Sequence, residues 1–104
     1  MKIERYKTIG VQMEIPSELQ VLLWKLQEEI RCKQTRIDYL QVYELKIIER
    51  KDGREQVVLH RSEYPKYEKL HHFQIEEPIV GKVFIIEEEE RDRIKEIMML
   101  ASEY

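Results

Sequence analysis

The chain has 104 residues, enough for one core and no second domain. Charged residues make up 38% of it against about 25% in an average protein, yet the net charge is only −3 with both signs interspersed, which argues against a nucleic-acid partner. One cysteine, Cys32, excludes an internal disulfide, and no apolar run approaches a secretory h-region or the roughly 20 residues of a membrane span. The expectation is a single cytoplasmic domain over residues 1–104, not bound to a membrane.

Residues 5–12 carry β-formers and read as a first strand, which Gly10 weakens. The run from Ile15 to Gln20 reads as a helix start, with Ser17 as N-cap, Gln20 completing a capping box and Glu18 at the positive end. Leu19, Leu22, Leu23, Leu26 and Ile30 then form one apolar stripe at helical spacing, so the helix runs to about residues 32–34. Residues 39–48 are β-rich. Their apolar set begins as Leu40 and Val42 and switches to Tyr43, Leu45 and Ile47, a one-residue slip that predicts a bulge or a strongly twisted strand. Asp52-Gly53 supplies a hairpin turn, and residues 56–61 supply its return strand. Pro65 interrupts the chain before a partly polar strand over 67–75, and a turn at Glu77-Pro78 with Gly81 leads to a short apolar strand over 82–86. Residues 88–104 read as a helix: acids lead it, and Ile94, Ile97, Met98 and Ala101 share a face.

These elements predict a two-layer α+β domain. One main helix packs on a curled antiparallel sheet of about four strands, with a C-terminal helix added, as in a cystatin-like or cone-shaped roll. The blocks Glu14-Ile15-Pro16-Ser17-Glu18-Leu19-Gln20…Leu22-Leu23-Trp24, Asp38-Tyr39-Leu40-Gln41-Val42-Tyr43-Glu44-Leu45, His60-Arg61…Pro65…Tyr67 and Gly81-Lys82-Val83-Phe84 resemble, in order, a family of small Firmicutes proteins known as domain of unknown function 960. That resemblance implies a small α+β domain of the kind found in staphylococci and enterococci. It brings no activity and no catalytic or binding residues, and it is weakest from Glu87 onward.

No nucleophile, base and oxyanion group assemble from the spacing, and three isolated glycines cannot cradle a phosphate. Cys32, at the negative end of its helix, is poorly placed as a nucleophile. No cofactor is expected, and an enzyme is the lesser reading. The favoured one is a non-catalytic protein-interaction module, with a homodimer admitted. Its contact candidates are Val21 and Trp24, which lie off the main apolar stripe, and the acidic run Glu87, Glu88, Glu89 and Glu90. For Trp24 the competing reading is an internal side chain covered by the first strand or the last helix. The alternatives in function are a metal or cryptic enzyme site using His60, His71 and His72 across a hairpin closed near Pro65, or an acidic inhibitor of a nucleic-acid-binding protein built on residues 87–104, which hold seven acids and three bases.

Overall fold

The computed structural model describes residues 2–104. In chain order the elements are β1 (Lys2–Lys7), α1 (Ile9–Glu14), α2 (Ser17–Lys33), β2 (Leu40–Arg50), β3 (Gly53–Ser62), β4 (Tyr67–Phe73), β5 (Gly81–Glu89) and β6 (Arg93–Leu100), followed by a 3₁₀ turn at Ala101–Glu103. All six strands join one sheet in the order β1-β6-β5-β2-β3-β4.

The four-stranded antiparallel sheet with a second helix is therefore corrected to a six-stranded mixed sheet carrying one main helix. Two misread segments account for the difference. Residues 93–100, expected as helix, are β6. Their apolar residues fit the helical period, but they also fit period 2, with Ile94, Met98 and Leu100 on one face and Ile97 and Met99 on the other. A strand flanked by strands on both sides needs no strictly alternating polarity, so the helical match misleads. Residues 5–12, expected as one strand, divide at Thr8, whose hydroxyl accepts from the Val11 amide and starts α1. β1 then lies parallel to β6, in register from Lys2 opposite Arg93 to Lys7 opposite Met98. This pair joins segments from the two ends of the sequence, which is why nothing local signals it.

Other expectations hold or shift in detail. The Asp52-Gly53 hairpin forms, with Gly53 at φ 140°, a conformation only glycine adopts readily. The bulge does not form: β2 pairs without interruption with β3 on one side and β5 on the other. The apparent slip arises because β2 is central and buries Gln41, Val42 and Tyr43 consecutively. Ser17 opens α2 but does not cap it. Pro16 holds the cap position, and the Gln20 amide donates to the carbonyls of Val11 and Ile15, tying α2 to α1 instead.

Helix α2 lies on the sheet face formed by odd-numbered β2 residues. Leu19, Leu23 and Leu26, with Val11 of α1, pack against Tyr43, Leu45, Val58, Val83, Ile85 and Met98. Each fully buried apolar side chain contributes about 1.5–3 kcal/mol, so packing rather than its N-terminal cap fixes the helix. Buried Gln56 fastens the β4–β5 connection by donating to the Ile79 carbonyl and accepting from the Ile79 amide, which brings β5 back beside β2.

Candidate functional site

β1 is an edge strand, and α2 passes alongside it. Thr8 donates its main-chain N–H to the Met98 carbonyl at 3.0 Å. By strand alternation, Glu4 and Tyr6 also turn their main-chain groups toward β6, leaving those of Ile3, Arg5 and Lys7 on the open edge. The side chains of the same three residues point to the helix side of the sheet, where two hollows flank Arg5. One, of about 350 Å³, is lined by Arg5, Lys7, Gln20, Val21 and Trp24. The other, of about 460 Å³, is lined by Ile3, Arg5, Glu28, Arg31 and Cys32.

Trp24 is neither fully covered nor bare. Its ring is half-buried against the core, and the Arg5 guanidinium sits over it, 5.1 Å from the ring centre. Val21 beside it is 54% exposed. The groove is therefore a half-covered aromatic wall next to a bare aliphatic rim.

Its rigidity comes from a charged cluster beneath. Glu96 of β6 is fully buried and accepts from the Nε of Arg5 at 3.2 Å, the Nε of Arg31 at 2.6 Å and the amide of Gln27 at 2.9 Å. Gln27 in turn accepts from the Tyr43 hydroxyl at 2.6 Å. A buried carboxylate needs such partners, because its desolvation cost is offset only when its lone pairs are filled. Arg31 also reaches Glu87, and Arg5 reaches Glu28. Lys7 differs: its ammonium donates to the Gln20 side-chain carbonyl, and it forms no carboxylate ion pair among the described residues.

The acidic run does not form one surface. Glu87, Glu88 and Glu89 belong to β5, so their side chains alternate between faces. Glu87 is held by Arg31, and Glu90 lies 3.2 Å from both Arg93 and Lys95. The hairpin register also places the histidines differently from expectation, with His60 opposite Lys69 and His71 opposite Val58. His60 and His71 share the helix side diagonally; His72 is on the other face, where its Nδ1 pairs with Glu55 at 2.7 Å. Among the described residues no three His, Cys, Asp or Glu side chains are grouped to hold a metal ion.

His60 is buried between two rings, stacked on Tyr43 at 4.2 Å and edge-on to Tyr67 at 4.9 Å. Gln41 donates its amide to the Asp38 carbonyl, so its oxygen faces His60 and fixes the hydrogen on Nε2. Nδ1 then carries a bare lone pair with no hydrogen-bond partner among the described residues. Burial, with a smaller contribution from the His71 charge, lowers the His60 pKa to about 3.

Of the residues around this groove and the cluster beneath it, sequence reasoning singled out Val21 and Trp24 but not Ile3, Arg5, Lys7, Arg31 or Glu96. One signal was present for Glu96: it shares a strand face with Ile94, Met98 and Leu100, and an acid in such an apolar row is either exposed or paired from afar.

The architecture is that of a small two-layer α+β domain, one sheet face covered by a helix and one sheet edge open beside that helix. A family model described as "Staphylococcal protein of unknown function (DUF960)" matches residues 4–103, and the chain belongs to that family. No curated protein and no solved structure matches it. Among the described residues no helix is long and apolar enough to cross a membrane.

Proposed function

We propose that this chain is a non-catalytic protein-interaction module that receives its partner in the groove between β1 and α2. The observation that carries the reading is the coincidence of an open strand edge with two hollows, one of them rimmed by exposed Val21 and half-buried Trp24. Open edges and uncovered aromatic–aliphatic rims are where proteins accept other chains. The framework beneath is fixed by Glu96, so the surface is pre-formed and little ordering cost falls on binding. The proposal places the protein in the cytoplasm, where an exposed unpaired thiol such as Cys32 stays reduced.

The test is a crosslinking pulldown from staphylococcal or enterococcal lysate with the wild-type chain and with Val21→Glu. Val21 is exposed, so that variant keeps the fold while placing a charge on the rim. A specific protein captured by the wild type and lost with Val21→Glu supports the module. Capture indifferent to Val21→Glu, or no specific capture, counts against it.

A further inference from the structure

The groove has the geometry to accept an additional strand. On the open edge, Ile3, Arg5 and Lys7 present unpaired main-chain donors and acceptors, and the same residues border the two hollows on the α2 side. Same-face residues of a strand recur about every 6.8 Å, and the hollows lie on either side of one strand residue, Arg5. A chain paired to β1 would therefore set two of its alternate side chains into the two hollows. The main chain would supply affinity and the hollows selectivity.

Charge decides what that chain is. β1 carries three cations, Lys2, Arg5 and Lys7, against one acid, Glu4. A second copy would set these cations against their own kind, the arrangement by which lysine-rich edges avoid self-pairing. An acidic strand meets no such penalty. Arg5 is satisfied by Glu96 and Glu28, whereas Lys7 has only the Gln20 carbonyl, at the mouth of the hollow walled by Val21 and Trp24. The best-matched occupant thus carries an apolar or aromatic residue for that hollow and a carboxylate next to it.

We infer that the β1–α2 groove binds an extended acidic segment of another protein by strand addition to β1, with an apolar side chain seated between Val21 and Trp24 and a carboxylate on Lys7. This rests on the interaction-module reading and names the partner's chemistry.

The test uses the full chain and a capped eight-residue peptide alternating glutamate and valine with one central phenylalanine. Its analogue with lysine for each glutamate is the control. Amide NMR should show saturable shifts at Ile3, Arg5, Lys7 and the Trp24 indole, slowed hydrogen exchange at the three β1 amides, and at least tenfold weaker binding of the lysine analogue. Ile3→Pro removes an outward-facing N–H without touching the β1–β6 ladder. That variant should keep its melting temperature within a few degrees and lose the peptide. If Ile3→Pro melts much earlier, Val21→Glu serves as the second variant and should weaken the acidic peptide at least fivefold.

Shifts confined to other surfaces, equal binding of the two peptides, or a wild-type dimer in sedimentation that Ile3→Pro abolishes would each overturn the inference. Absence of peptide binding alongside a captured partner still sensitive to Val21→Glu overturns strand addition while leaving the module reading standing. Loss of both removes the module as well.

Discussion

His60 shows how a single side chain can register pH without taking part in chemistry. Its neutral ring fits between Tyr43 and Tyr67, and a proton on Nδ1 would meet no acceptor. The folded pKa is about 3, whereas an unfolded histidine titrates near 6.5, so from about pH 6.5 down to about pH 3 the unfolded chain binds the extra proton. Stability is therefore lost as pH falls through that window, at up to about 1.4 kcal/mol per pH unit for this one group. His71, also lowered by burial, adds in the same direction. Glu29 acts later. Its hydrogen bonds to Lys33 and Lys69 lower its pKa to about 2, so its contribution fades only below about pH 4.5. Denaturant midpoints measured between pH 7 and 4.5 should fall for the wild type and flatten markedly in His60→Gln. A variant as steep as the wild type would show that His60 is not the group responsible.

At the scale of elements, the Arg5–Glu96–Arg31 cluster joins β1, β6 and α2. Replacing Glu96 by alanine leaves two guanidiniums facing a buried void, and breaking a buried pair in this way costs about 3–5 kcal/mol. Glu96→Ala should lower the unfolding free energy by that order in a denaturant titration. A loss below about 1 kcal/mol would mean that water takes the carboxylate's place. The same cluster marks the limit of what the sequence reveals. The α2 stripe and the Asp52-Gly53 turn depend on neighbours a few residues away, and both were legible. β6 was not, because its period-2 rows are broken by a charge whose partners lie 91 and 65 residues distant. The Gln20 bonds to α1 follow the same logic, since a side chain that looks like a cap is drawn off by carbonyls brought close by the fold. Of the groove, Val21 and Trp24 stood out by helical phase alone. The strand that forms its other wall could not be foreseen without the parallel pairing.

For the whole molecule, the sheet order decides which surfaces are available. β4 and β1 are the two edges; β1 lines two hollows with α2, whereas β4 is tied to α2 by the Lys69–Glu29 ion pair. The opposite sheet face carries Leu40, Val42, Phe84, Ile86, Ile97 and Met99 in adjoining rows, with Tyr104 edge-on to Phe84. The molecule measures 50 × 28 × 21 Å, so it is a slab with the β1–α2 groove along one side. Placing β1 parallel to β6 also has a mechanical consequence. The sequence enters this pair at Lys2 and leaves it at Leu100, at opposite ends of two adjacent parallel strands. Tension applied between those points loads all six residue pairs at once in shear, instead of peeling them one after another. Pulled in an optical trap by handles at the two ends, the domain should yield in one high-force step. Handles that pull the β2–β3 hairpin open from its strand ends should unzip it at markedly lower force. Equal forces in the two geometries would mean that the β1–β6 ladder is not what resists extension.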